Sequence, residues 1–272
     1  MDIFLFLISL AAALCLFMTG AWLLEMRTGA SGWIDATWSF AVGLVGVIGA
    51  LVPIAESDPA WRNLLVAAML AAWSGRLGLH IVRRTLKDGV DPRYSRLKEE
   101  WGANARMRML LFLQGQAMAG FVLVLAAVVA ARHPSPTLRV ADCLGVLLFV
   151  IALSGEALAD RQMQQFGADP ANNGKVCDVG LWRLSRHPNY FFEWLGWLAY
   201  PMIAIDLGGA YPGGWLAILA PMLMYYLLVH VSGIPPLEEH MLKSRGEAFR
   251  DYQRRVKAFW PIPRASPSRD TR

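Results

Sequence analysis

The chain has 272 residues, of which 56% are apolar and only 17% are charged, and its mean hydropathy is +0.37. Soluble domains carry about 25% charged residues, so this composition excludes an ordinary soluble domain and favours an integral membrane protein. The net charge is +5. Nucleic-acid binding would need a basic face on a soluble fold, so we expect no nucleic-acid partner. We expect the positive charge to orient the chain in a membrane instead.

The cysteines predict neither a metal site nor a disulfide framework. Cys15, Cys143 and Cys177 have no metal-ligand spacing and are odd in number. Two of them lie in apolar segments, where a cysteine acts as a small hydrophobic side chain. We therefore expect no bound metal.

Seven stretches of the chain are long and apolar enough to cross a bilayer, which takes roughly 20 residues. In chain order they are residues 4–24, 32–54, 61–81, 110–131, 140–158, 189–205 and 213–230, the sixth being the shortest. The sequence therefore predicts an all-α integral membrane protein of about seven transmembrane helices. We expect one catalytic domain over residues 1–264, followed by a disordered polar tail over residues 265–272.

The distribution of positive charge predicts the orientation of these spans. Of the 26 lysines and arginines, Arg62, Arg132 and Arg139 fall in one set of connections and Arg76 lies within a span. The remaining 22 fall in the other connections and the C-terminal tail. Since positive loops face the cytosol, the N-terminus is expected outside and the C-terminus in the cytosol, as in a bacterial inner membrane.

Polar side chains gather at the predicted cytosolic ends of four spans. Three pairs of them are spaced four residues apart, which puts each pair on one helix face. The set comprises Asp35, Arg76, His80, Glu156, Asp160, Asn189 and Glu193. Ionisable groups at membrane depth are costly, so such a set indicates a functional site, or else ion pairs that hold the helices together.

The cytosolic connections add arginines to this set. Arginine beside aromatic and amide side chains suits an anionic planar ligand such as a nucleotide cofactor. Ligand binding is the favoured interpretation for Arg186 and His187, which precede a Pro-Asn-Tyr helix start. For the arginines of the C-terminal tail, contact with anionic lipid headgroups is the stronger alternative.

Residues 180–193 read Gly-Leu-Trp-Arg-Leu-Ser-Arg-His-Pro-Asn-Tyr-Phe-Phe-Glu. This run resembles the C-terminal domain of the steroid 5-alpha-reductase family, and is most similar to its bacterial, reductase-like branch. Residues 34–38, 76–94 and 252–261 fit the same branch, although Phe192 stands where the family usually has glycine. The resemblance implies a seven-helix fold that binds NADPH from the cytosol and reduces a carbon–carbon double bond conjugated to a carbonyl.

The resemblance also implies roles for individual residues. It places Asn189 and Glu193 at the nicotinamide end of NADPH. Steroid reductases use a glutamate and a tyrosine on the second and third spans, where this chain has Asp35 and roughly His80, so these two and Glu193 are the expected catalytic residues. A histidine could donate a hydrogen bond to an enolate. The residues expected to hold the rest of the cofactor are Asp160, Arg186, His187, Tyr190, Tyr252 and Arg255.

The expected partners are a lipophilic substrate that enters from the bilayer and the membrane lipids themselves. The sequence makes no prediction about oligomeric state.

Two other function classes stay open. Membrane methyltransferases of the isoprenylcysteine and phospholipid type, which use S-adenosylmethionine, share a related pattern that residues 186–188, Glu238-Glu239 and Tyr252 largely satisfy. The Asn189-to-Glu193 spacing, the Asp91-Pro-Arg-Tyr94 block and the Phe-Trp-Pro ending favour the reductase. A transporter would be expected to show internal repeats and broken helices near the midplane, and the sequence shows no repeat.

Overall fold

The structure is a computed structural model that describes residues 2–53 and 60–262. Within those ranges the regular elements are helices, and no strand occurs apart from an isolated bridge between Ser185 and Lys257. The predicted all-α membrane fold is confirmed. The predicted polar tail, residues 265–272, lies outside the described residues.

Eleven α-helices occur in the described part of the chain, joined by short 3₁₀ turns and one π-helical segment. They are α1 (Ile3–Thr28), α2 (Gly32–Leu51), α3 (Ala60–Asp88), α4 (Pro92–Trp101), α5 (Ala105–Ala131), α6 (Val140–Ala168), α7 (Pro188–Trp197), α8 (Ala199–Ala204), α9 (Leu219–Tyr226), α10 (Ile234–Arg245) and α11 (Glu247–Arg255).

Six helical stretches of the described residues are long and apolar enough to span a membrane. They are Ile3–Thr28, Gly32–Leu51, Ala60–Lys87, Pro92–Ala131, Val140–Ala168 and Pro212–Arg245. The predicted span over residues 189–205 is not among them, because it is broken at Leu198 into α7 and the six-residue α8. Pro201 lacks the N–H that would bond to the carbonyl of Trp197, which favours a break at this point. The number of seven spans and their orientation stay predictions.

The chain divides into two compact units. Unit 1 comprises Met1–Cys143 and Tyr200–Ala220, and unit 2 comprises Leu144–Ala199 and Pro221–Arg272. The predicted single domain over residues 1–264 includes parts of both units.

Glycines allow α2 and α3 to approach closely in unit 1. A Cβ atom on Gly43 would overlap the side chain of Ser74, and a Cβ on Gly46 would come within 2.8 Å of Leu70. Ser74 in turn donates to the carbonyl of Ser39 at 3.0 Å. These glycines therefore serve helix packing, as expected for small residues at membrane helix interfaces.

A buried arginine fixes the connection between α5 and α6 in unit 1. Arg62 is fully buried and donates to the carbonyls of His133 and Ser135 at 2.8 and 2.6 Å. It also forms a 2.9 Å ion pair with Asp142, which Arg139 contacts from the other side at 2.8 Å. Because a buried guanidinium must be paired, these contacts hold residues 133–142 against α3.

In unit 2, Ala152 and Gly155 of α6 pack against the face of α7 that carries Phe192. A Cβ on Gly155 would overlap the ring of Phe192, and a Cβ on Gly196 would lie 3.5 Å from Ala152. The aromatic side chain found in place of the usual glycine is thus accommodated by a glycine on the facing helix. The same pair of contacts shows that α6 and α7 run antiparallel where they meet.

Candidate functional site

The carboxylate of Glu238, near the start of α10, accepts hydrogen bonds from three polar side chains of unit 2. Arg186 donates to its two oxygens through Nε and Nη2, at 2.7 and 3.0 Å. His187 Nε2 lies 2.9 Å from one oxygen, and the amide of Gln253 donates to the other at 2.7 Å. We call Arg186, His187, Glu238 and Gln253 the Glu238 clasp.

The clasp also holds the segment that follows α11. Arg186 Nη1 donates to the carbonyls of Val256 and Gln253 at 2.6 and 3.3 Å. The backbone amides of Arg186 and His187 donate to the carbonyls of Lys257 and Ala258 at 2.9 and 3.1 Å. Every nitrogen of the Arg186 guanidinium therefore has a protein acceptor, so this side chain fixes the geometry of the site.

Local sequence explains how the clasp residues reach their positions. Pro188 begins α7, a position where the missing proline N–H costs nothing, and it leaves His187 just outside the helix. Glu238 follows the π-helical segment Leu227–Val231 and Gly233, at which a Cβ would overlap the Leu228 carbonyl. Single π-helical turns are frequent at functional sites.

Glu238 determines the tautomer of His187. A carboxylate can only accept, so Nε2 of His187 carries the hydrogen that it donates to Glu238, and the neutral ring presents Nδ1 as an acceptor. The side chain is only 3% exposed, and Nδ1 has no hydrogen-bond partner among the described residues. Burial lowers the pKa of this imidazole, although the hydrogen bond and charge of Glu238 act in the opposite direction.

The first turns of α7 carry three further predicted site residues. The buried side-chain oxygen of Asn189 has no partner within the described part of the chain. Tyr190 stacks on His187, with ring centroids 5.5 Å apart and an interplanar angle of 10°. Glu193, one turn after Asn189, is 7% exposed and accepts a 2.8 Å hydrogen bond from Trp197.

The remaining predicted cofactor residues differ in their surroundings. Tyr252 is buried and its hydroxyl donates to the carbonyl of Trp182, and burial raises the pKa of this phenol. Arg255 is exposed and lies 3.4 Å from Asp178. Asp160 is half-buried on α6. The structure thus brings together Arg186, His187, Asn189 and Tyr190 in one short segment, and Tyr252 supports the same segment from α11.

In unit 1, Asp35 belongs to a second polar cluster. Its carboxylate accepts a 2.6 Å hydrogen bond from the hydroxyl of Tyr94 and forms an ion pair with Arg93. The amide of Gln116 donates to the Tyr94 oxygen at 3.1 Å, so the phenolic proton is directed to Asp35. Tyr94 is 2% exposed. His80 lies half-buried on α3.

Asp91 positions this second cluster. It is the N-cap of α4, accepting from the backbone N–H of Arg93 at 2.9 Å, and Pro92 follows at the first helical position. Its carboxylate also pairs with Arg84 and Arg93 at 2.9 and 2.8 Å. Burial opposes ionisation, but the hydrogen bonds and charges of these arginines lower the pKa of Asp91.

Sequence reasoning did not assign roles to Tyr94 or to the pairing of Glu238. Both signals were present, since the Asp-Pro-Arg-Tyr block ends at Tyr94 and Glu238 begins an acidic pair. Nothing in their spacing showed which partners they would meet. No group of three potential metal ligands occurs among the described residues.

Comparison with known proteins assigns the chain to a family. Residues 21–256 match the family described as "protein of unknown function (DUF1295)". The chain belongs to this family, which is related to steroid 5-alpha-reductase-like proteins. None of the curated proteins and none of the solved structures matches the chain.

Replacing Glu238 with alanine is expected to destabilise the protein strongly. The substitution leaves the buried Arg186 guanidinium without its carboxylate, and breaking a buried ion pair from one side typically costs about 3–5 kcal/mol. The adjacent Glu239 forms an exposed pair with Lys243, and Glu239→Ala should cost less than about 1 kcal/mol. Unfolding of both variants in detergent measures the difference, and equal losses would contradict the role given to Glu238.

Acid should weaken the protein through His187. Because the native state lowers the pKa of this ring, the unfolded chain binds more protons, and stability falls as the pH drops below the ordinary histidine value of about 6.5. The variant His187→Gln should lose less stability between pH 7 and pH 5 than the wild type. His240→Gln, at an exposed position, serves as the control and should follow the wild-type curve.

Proposed function

We propose that this protein is a membrane-embedded, NADPH-dependent reductase of a carbon–carbon double bond conjugated to a carbonyl. The observation that carries the proposal is the pair of buried acceptors at the start of α7, His187 Nδ1 and Asn189 Oδ1, which have no partner among the described residues. An unsatisfied buried acceptor costs about 1–3 kcal/mol, so a ligand that supplies N–H donors would be favoured there.

The donor that this pair suits is a carboxamide, and nicotinamide carries one. Asn189 and His187 would hold that end of the cofactor, with Glu193 and Tyr190 beside them on α7. When bound, NADPH supplies a hydride. The clasp keeps both acceptors in place before any ligand arrives, which reduces the entropy lost on binding.

The phosphates of NADPH need mobile or weakly paired cations. Arg255 is suited to this task, because an exposed ion pair such as its 3.4 Å contact with Asp178 contributes little and is readily exchanged. Arg186 is not, since its guanidinium is committed to Glu238 and to backbone carbonyls. We therefore give Arg186 a positioning role, and Tyr252 and Asp160 supporting roles in the same unit.

Reduction of an enone also needs a hydrogen-bond donor for the carbonyl oxygen, where negative charge develops. We propose Tyr94 for this role, which the resemblance to steroid reductases implied for His80. Its buried hydroxyl accepts from Gln116 and, in the ligand-free protein, donates its one proton to Asp35. For the reaction this proton would turn from Asp35 to the substrate carbonyl. Arg93 supplies positive charge on the other side of Asp35.

The alternative, methyl transfer from S-adenosylmethionine, draws support from the Arg186–Glu238 contact, because both residues belong to the pattern that those enzymes share. The buried phenol of Tyr94 favours the reductase, since methyl transfer does not need a hydrogen-bond donor for a carbonyl oxygen. We keep the expectation that the site faces the cytosol of a bacterial inner membrane.

A lipophilic substrate is consistent with the surface of unit 1. An apolar groove of about 440 Å³ opens along α1, and it is lined by Ala13, Leu16, Phe17, Gly20, Ala21, Leu24 and Thr37.

Cofactor binding separates the two functions. NADPH at 100 times its dissociation constant should stabilise the purified protein by about 2.7 kcal/mol, whereas S-adenosylmethionine should have no effect. Because the Asn189 oxygen has no partner in the ligand-free protein, Asn189→Ala should leave the free protein nearly as stable but weaken NADPH binding about tenfold or more. Asn173→Ala, at an exposed site, should bind normally. Stabilisation by S-adenosylmethionine alone would contradict the proposal.

Removing the Tyr94 hydroxyl should lower the rate of the reaction and leave the affinity for NADPH nearly unchanged. Tyr94→Phe is expected to slow enone reduction by about 100-fold or more, as loss of a general acid or oxyanion donor does. Its NADPH affinity should stay within about twofold of the wild type, because Tyr94 is not one of the residues proposed to hold the cofactor. Tyr226→Phe is the control at an exposed tyrosine. Unchanged turnover in Tyr94→Phe would remove this residue from the mechanism.

A further inference from the structure

A patch of aromatic and aliphatic side chains remains exposed where the C-terminal segment meets α9 in unit 2. Trp260 is 41% exposed, Ile262 51% and Tyr226 58%. The ring of Trp260 contacts Tyr225 at 6.2 Å, and His230 contacts Tyr225 and Tyr226 at 5.8 and 6.1 Å. We call Tyr225, Tyr226, His230, Trp260 and Ile262 the Trp260 patch.

The patch continues the surface of a candidate membrane span. Tyr225, Tyr226 and His230 belong to the stretch Pro212–Arg245, which is long and apolar enough to cross a bilayer. Met222, which is 62% exposed, lies one turn before Tyr226 and shares its helix face. An exposed surface on such a span faces lipid, and the Trp260 patch extends it to a segment that lies outside the span.

The composition of the patch suits one region of a membrane. Tryptophan and tyrosine are enriched at membrane–water interfaces, where the ring body contacts hydrocarbon and the polar edge meets headgroups and water. From these observations we infer that the Trp260 patch docks in the lipid headgroup region. Residues 260–262 thus form an interfacial anchor. The inference rests on the membrane fold and is independent of the proposed reductase activity.

The anchor is directly connected to the candidate site. The carbonyls of Lys257 and Ala258, which the buried Phe259 separates from the anchor, accept from the backbone amides of Arg186 and His187. Trp260 also contacts Trp194 of α7, with ring centroids 5.4 Å apart. Docking of the patch therefore holds the segment that completes the Glu238 clasp, and the geometry of the site depends in part on the bilayer surface.

Nitroxide labels test this placement in the protein reconstituted into bilayers. With Cys15, Cys143 and Cys177 replaced by alanine, single cysteines are labelled in Ile262→Cys, Met222→Cys and Asn173→Cys. Met222 is the exposed reference on the candidate span, and Asn173 is an exposed reference outside all candidate spans. The accessibility of the label at position 262 to a water-soluble nickel chelate should lie between those at positions 222 and 173. Nickel accessibility equal to that at position 173 would overturn the inference.

A second measurement covers the case in which the cysteine-free protein does not fold. Native protein and Trp260→Phe are compared in bilayers whose lipids carry bromine near the headgroup. The difference in fluorescence between the native protein and Trp260→Phe is the signal of Trp260. This signal should be quenched strongly by the brominated lipids and weakly by acrylamide dissolved in the water. Weak quenching by the brominated lipids together with strong quenching by acrylamide would overturn the inference equally.

Discussion

A buried arginine beside a buried carboxylate constrains the rest of unit 2. Removing the Arg186 guanidinium from water is tolerable only because Glu238 meets it with two oxygens and the backbone beyond α11 supplies further acceptors. Pairing of the Arg186 guanidinium requires α10 to bring Glu238 to the start of α7. It also requires the C-terminal segment to pack against residues 185–187. One buried charge thus determines the course of three separate segments.

The same carboxylate gives the site its chemical character. By accepting from Nε2 of His187 it leaves Nδ1 as a buried acceptor, two residues before Asn189, whose side-chain oxygen likewise has no partner among the described residues. The cluster in unit 1 has the opposite character, because Asp35, Arg93 and Gln116 hold a single phenolic donor, Tyr94. A buried acceptor pair suits an amide ligand, and a buried phenol suits a carbonyl oxygen.

The sequence predicted the parts of this structure that depend on local pattern. Uninterrupted apolar runs identify a membrane protein, and the Arg-His-Pro-Asn-Tyr run identifies the segment that carries the clasp. Contacts between residues that are distant in the sequence could not be predicted in this way. Tyr94 and Asp35 are 59 residues apart in the sequence, and Arg186 and Glu238 are 52 residues apart. The predicted span over residues 189–205 is not one continuous helix. Hydropathy could not predict the break, because it takes no account of the backbone N–H that Pro201 lacks. The sequence shows Phe192 in place of the family's usual glycine, but the accommodation of its ring by Gly155 depends on helix packing.

The most direct test of the account follows an atom from the cofactor to the product. Membranes containing the protein are supplied with NADPH deuterated at the transferable position and with a panel of lipophilic enones, and the products are analysed by mass spectrometry and NMR. Deuterium is expected on the carbon β to the carbonyl, with loss of the label in Asn189→Ala and in Tyr94→Phe. The absence of deuterium from every product, together with transfer of a labelled methyl group from S-adenosylmethionine to lipid, would contradict the proposed reduction.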